Sequence, residues 1–276
     1  MKTKQYIQLI LTIILLMLSI LTPQVFAEKS LTPLQIVEKM DDRNNGETRI
    51  SDITMILINR NKQQRIRKIK SISKDYGNDT KNLIFFLSPA DVKNTAYMSF
   101  SYDDSNKEDD SWLYLPALKK VKRIASSDKA GSFMGSDFSY SDINGTKIED
   151  WDYQFIKTSQ LVNNVDTWVI GGTPKQEKKE KILNETGYLK SLMWIRKDNF
   201  MLIKAKYWVK KGRKIKYLKV EDIKQTDKIW TAYKMTMITT IKGKIDHSSI
   251  LDFSNVQYNK KINNDIFTTR NMERGL

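Results

Sequence analysis

The sequence predicts a mainly β protein folded as one domain, an antiparallel sandwich or barrel preceded by a short helix. Three observations predict it. Strand-length runs follow one another from Ile53 to Tyr258 with turn residues between them. The strand–helix alternation of a parallel sheet is missing. No Pro- or Ser-rich stretch and no internal repeat divides the chain, and 276 residues are enough for one large all-β unit. With 40% hydrophobic and 29% charged residues, the composition is that of a packed globular chain.

The chain opens as a targeting segment. Lys2 and Lys4 precede an apolar run from Ile7 to Leu21, and Val25-Phe26-Ala27 resembles a cleavage site. The expectation is a signal peptide over residues 1–27, removed after Ala27, and a single domain over 28–276. The run is short for a bilayer span. Cysteine is absent, which excludes disulfides, thiolate metal sites, a Cys nucleophile and a lipid-modified cysteine after the leader. The expectation is therefore export from the cytoplasm, with no lipid anchor.

A helix is expected over Thr32–Asp42. Thr32 suits the N-cap, Pro33 the first helical position and Gln35 a capping box, with Leu34, Ile36, Val37 and Met40 on one face. Strands follow. Ile53, Met55 and Leu57 alternate in the first, and Arg65 to Ile72 alternates basic with apolar. Leu83–Leu87 and Thr95–Tyr102 precede an acidic loop from Asp103 to Asp110. Later strands are read at Trp151–Ile156, Thr167–Ile170, Leu192–Arg196, Met201–Val209, Ile215–Val220, Trp230–Ile241 and Ser249–Tyr258, with a hairpin turn at Lys210–Arg213.

The most informative stretch is Ser111 to Ile143. Trp112 to Leu115 and Val121 to Ile124 form a hairpin around Pro116-Ala117. Gly131 and Gly135 then bracket Phe133-Met134, which suggests backbone that turns tightly or passes close to another surface. The apolar residues here read either as core or as the lining and lid of an apolar cavity.

W-L-Y-L-P (112–116), K-K-V-K-R-I (119–124) and S-F-M-G-S-D-F-S-Y-S-D (132–142) resemble the bacterial outer-membrane lipoprotein-sorting proteins, relatives of the LolA and LolB carriers. The likeness extends from about Leu31 to the C-terminus. It implies a strongly curved, half-open antiparallel β-barrel wrapped over the N-terminal helix and a central helical or loop segment, with an apolar cavity between them for acyl chains. It implies a periplasmic carrier or chaperone for a lipid or for the acyl chains of a lipoprotein, supporting sorting to the outer membrane. An inner-membrane transporter of the resistance-nodulation-division or MMPL type is the implied partner. The alternative is a sensor of the same fold that detects lipidated ligands without moving them.

The cavity candidates are Met55, Leu57, Trp112, Tyr114, Phe133, Met134, Phe138 and Tyr140. Alternate strand residues share a face, so Trp112 pairs with Tyr114 and Met55 with Leu57. In lipoprotein carriers an arginine holds the lid closed, and Arg43 and Arg123 are the candidates for that role.

Catalytic signals are weak, so no enzyme, cofactor or metal is expected. His247 is the only histidine, no G-x-S-x-G elbow is present, and the phosphate-binding glycine patterns are missing. A hydrolase using His247 is the third and weakest class. Formal charge is +15. Behind a secretion signal, that charge suits an anionic membrane surface or acidic partner rather than nucleic acid.

Overall fold

The computed structural model describes residues 30–276; the expected signal peptide lies outside the described residues. Helix α1 spans Pro33–Asp41, one residue inside the expected bounds at each end, and buries Ile36 and Val37. Among the described residues, thirteen strands then form one antiparallel sheet: β1 (Thr48–Asn59), β2 (Gln64–Tyr76), β3 (Asp79–Ser88), β4 (Ala96–Ser101), β5 (Asp110–Leu115), β6 (Lys120–Arg123), β7 (Trp151–Val162), β8 (Val165–Pro174), β9 (Tyr188–Arg196), β10 (Leu202–Val209), β11 (Lys214–Thr226), β12 (Ile229–Ile241) and β13 (Lys244–Tyr258). Their order is β6-β5-β4-β3-β2-β1-β13-β12-β11-β10-β9-β8-β7. The sheet is curved and open. Its edges are the short β6 (Lys120–Arg123) and the long β7 (Trp151–Val162).

This order explains the inner segment. β6 and β7 are consecutive in sequence but lie on opposite edges, so residues 124–150 must cross one face of the sheet. They cross the concave one. Directly opposed residues of an antiparallel ladder share a face, which fixes each side chain. Met55 opposes Arg67 and Leu251; Leu57 opposes Ser249; Ile69 opposes Phe86; Ile84 opposes Tyr97. These point inward, and all are buried.

The opposite phase points outward. On β2 (Gln64–Tyr76), β3 (Asp79–Ser88), β4 (Ala96–Ser101) and β5 (Asp110–Leu115), the rows Ile72–Leu83–Met98–Trp112 and Phe85–Ala96–Tyr114 lie on the convex face. Ile262, Phe267 and Met272 cover them. Met272 belongs to helix α4 (Thr269–Arg274), capped by the Thr268 hydroxyl accepting from the Asn271 N–H. Neither α4 nor helix α3 (Lys179–Glu185) is in the sequence reading, being too short to show a periodic stripe.

Candidate functional site

The inner segment is a loop folded on itself. The Phe133 N–H donates to the Phe138 carbonyl (2.7 Å) and the Tyr140 N–H to that of Gly131 (3.1 Å). Gly131 is required by close approach: a Cβ there would stand 2.8 Å from the Asp128 carbonyl oxygen. Gly135 has open space around it but a φ of +77°, and Met134 before it is also left-handed at +51°. Helix α2 (Tyr140–Asn144) follows, started by a capping box between Ser139 and Asp142.

Phe133 is the apolar anchor. Only 1% exposed, it sits 5.3 Å from the Tyr97 ring, 5.4 Å from Tyr140 and 6.1 Å from Phe86. The remaining fastenings are polar and come from strands on both sides of the sheet. The Arg67 guanidinium, itself buried, donates to the Met134 carbonyl oxygen. Asp137 accepts from the Ser249 hydroxyl (2.7 Å), lies 2.6 Å from His247 Nδ1, and its N–H donates to Ser249 Oγ (2.9 Å). Asp142 accepts from the Tyr188 hydroxyl (2.8 Å) and from Lys216 Nζ (3.4 Å). Asn144 accepts from the Tyr97 hydroxyl at 2.7 Å. Burial pushes the Tyr97 hydroxyl up to about 12, and burial followed by the Asp142 carboxylate pushes Tyr188 well up. Both phenols therefore stay protonated donors.

Between α1, the inner segment and the strand ends lies an open cleft of about 910 Å³. Its apolar lining is sparse: Leu34, Ile148, Trp151 and Tyr153, with Tyr102 at its side. Its charge is mostly acidic, including Glu38, Asp41, Asp75, Asp103 and Glu149. Burial raises the Asp75 carboxyl, and burial followed by Asp41 and Glu149 raises the Tyr153 hydroxyl.

The predicted residues divide. Met55 and Leu57 lie on the concave face, each directly opposite a residue that fastens the inner segment, Arg67 and Ser249. Phe133 and Phe138 are buried in that segment, with Met134 and Tyr140 half-buried. Trp112 and Tyr114 do not join them: they share a face, as expected, but it is the convex face under Phe267 and Met272. None of the eight lines the open cleft.

The arginines also fall elsewhere. Arg43 lines the cleft and donates to the Met40 carbonyl (3.1 Å), while Arg123 pairs with Asp110 at the β6 edge. Neither bonds the inner segment. Arg67 does, and the sequence reading missed it because a basic residue in an alternating strand reads as solvent-facing. Its phase gave only a partial signal: Arg67 keeps step with Ile69, but Ile66 and Ile72 occupy the other phase.

In the trio at Asp137, the Ser249 hydroxyl donates to the carboxylate and His247 Nδ1 lies against the same oxygen, an order that differs from the Ser–His–Asp chain of a catalytic triad.

The curved, open antiparallel sheet with its helices has LolA-like neighbours among solved structures. A family model described as "uncharacterized protein" matches residues 78–274. An outer membrane lipoprotein-sorting protein domain from Vibrio parahaemolyticus is 31% identical, with 88% of this chain and 98% of that one covered and a TM-score of 0.77. A DUF1329 family protein from Desulfovibrio piger is 29% identical over 88% of this chain and 100% of that one, with a TM-score of 0.78. A LolA superfamily protein from Nitrosomonas europaea shares the fold at 19% identity, covering 88% and 100% with a TM-score of 0.66. The search of curated proteins gives no match. The chain belongs to the LolA-like family of outer-membrane lipoprotein-sorting proteins.

Proposed function

We propose that this protein is a periplasmic carrier that shelters the acyl chains of a lipid or lipoprotein between its concave sheet and the inner segment. In this reading it hands cargo on toward the outer membrane, in concert with an inner-membrane transporter of the resistance-nodulation-division or MMPL type. It is not an enzyme. The observation that carries the reading is the closure itself. Under the inner segment the concave face carries Met55, Leu57, Ile69, Ile84 and Phe86, and the segment is held by bonds that can be exchanged, above all Arg67 to the Met134 carbonyl. An acyl chain costs about 0.8 kcal/mol per exposed CH₂ in water, enough for a long chain to displace that segment and take its place.

Arg67→Leu tests it. A hydrogen bond to a charged group contributes about 1.5–3 kcal/mol, so its loss should shift the balance toward the open form. Uptake of a fluorescent fatty acid should rise about tenfold or more, and native mass spectrometry should show more co-purifying lipid than in the parent protein. If neither protein carries lipid or binds the probe, the carrier reading fails.

A further inference from the structure

Nine exposed basic residues are gathered in three hairpin tips at one end of the sheet. Strands β2, β1, β13, β12, β11 (Lys214–Thr226) and β10 (Leu202–Val209) are neighbours and alternate in direction. The β1–β2, β12–β13 (Ile229–Ile241 into Lys244–Tyr258) and β10–β11 hairpins therefore turn at the same end. Their tips read Arg60 to Arg65, Lys242-Gly243-Lys244 and Lys210-Lys211-Gly212-Arg213-Lys214, and every basic residue in them is exposed. Asp246, paired with Arg60, is the carboxylate among them. Two isoleucines beside these tips are left to water, Ile66 at 50% exposure and Ile245 at 61%. The acidic loop before β5 lies at the opposite end of the strands.

The convex face next to the β10–β11 tip continues the pattern. Lys216 points inward to Asp142, so Tyr217 and Ile215 point outward. Trp208 lies opposite Ile215, and Lys206 opposite Tyr217. Lys206 Nζ stands 4.4 Å from the Trp208 ring centre and Lys190 Nζ 4.6 Å from it. Unlike the convex face of β2–β5, this one has no covering segment among the described residues.

We propose that this end of the sheet is a docking surface for anionic phospholipid bilayers. The three hairpin tips would supply the charge, and Ile66, Ile245 and Trp208 would enter the headgroup layer. Exposed basic residues beside small apolar anchors and an amphipathic ring match the chemistry of that layer. The surface stands apart from the inner segment. It rests on the envelope location proposed above but not on the cargo cavity, so the two can fail separately.

The test uses protein purified from the envelope and its Lys211→Gln/Arg213→Gln variant, with sedimentation on phosphatidylcholine vesicles made with and without phosphatidylglycerol. The parent should bind the anionic vesicles at least about tenfold more tightly, and salt should weaken that binding. Two neutralised charges should cost about 25-fold at low salt, at about fivefold each. Fatty-acid uptake in solution should not change, which keeps the cargo reading separate. Trp208→Ala should weaken vesicle binding while leaving its salt dependence intact. Equal binding to both vesicle types would overturn the proposal. So would an unaffected double variant, or tighter binding of soluble polyglutamate than of the anionic vesicles, which would mark the surface as one for an acidic protein.

Discussion

Two segments cover this sheet, and they are attached differently. On the convex side, the C-terminal segment covers β2–β5 with Ile262, Phe267 and Met272, set against Leu83, Phe85 and Met98. On the concave side, the inner segment buries Phe133 and Phe138 but is otherwise fastened through Arg67, Ser249, His247, Tyr188 and Lys216. Apolar packing has no exchange partner in water, so separating the first pair of surfaces exposes hydrocarbon outright. Charged and hydroxyl groups regain water when they part, which is why a neutral hydrogen bond contributes only about 0.5–1.5 kcal/mol net and one to a charged group about 1.5–3 kcal/mol. In the proposed carrier, the outer cover stays in place and the inner one is exchanged for cargo.

The largest effect that would break this contrast is on the outer side. Met272 is fully buried. Met272→Asp would place an unpaired carboxylate in the apolar cluster, a change that costs several kcal/mol or forces the segment off the sheet. The expected result is a fall of more than about 4 kcal/mol in denaturant-derived stability. A variant that melts like its parent would show that the C-terminal segment is not part of the permanent core.

A matched pair sharpens it. Phe85 and Phe133 are 3% and 1% exposed, one under the outer cover and one within the inner segment. Truncating either to alanine should cost about 3–5 kcal/mol. Their effects on cargo should differ. Phe133→Ala removes the ring that holds the inner segment against Phe86 and Tyr97, so fatty-acid uptake should rise. Phe85→Ala should leave uptake unchanged. If both raise it, the gain comes from general loosening and the inner segment has no special part in it.

β1 was legible because mainly one face is buried, which writes period two into Ile53, Met55 and Leu57, whereas β3, buried on both faces, was legible as the short apolar run Leu83–Leu87. The face that each strand presents was not legible where the pattern is shared. Trp112 and Tyr114 alternate as cleanly as Met55 and Leu57, but their direction follows from pairing with Met98 and Ala96 and from a C-terminal helix too short to recognise. Arg67 was hidden for a related reason. Ile66 and Ile72 are in one phase of β2 and Arg67 and Ile69 in the other, so hydrophobicity alone could not say which was inside. The central motif was legible as a segment, because two glycines around Phe133-Met134 mark a backbone constraint. Its fastenings to Ser249 and His247 bridge more than a hundred residues of sequence and follow only from strand order.

The smallest expected effect concerns Met134. The sequence leaves its side chain as either core or cavity lining, while the structure shows its carbonyl accepting from Arg67 and the side chain half-buried at the left-handed turn. Met134→Gln keeps the backbone, the carbonyl and nearly the same length, and glutamine gains no ease in the left-handed region. Stability should therefore move by less than about 0.5 kcal/mol, as at positions outside the packed core. A fall of about 1–3 kcal/mol would mean that the amide has been buried without partners, so that Met134 belongs to the same core as Phe133. With stability unchanged, fatty-acid uptake becomes decisive. A thioether that meets an acyl chain adapts to it, and an amide there must lose water without recompense. Uptake should then weaken in Met134→Gln although it strengthens in Arg67→Leu. Opposite signs at the two ends of one hydrogen-bonded pair would separate the group that closes the segment from the group that touches the cargo; equal signs would leave Met134 with its carbonyl alone as its contribution.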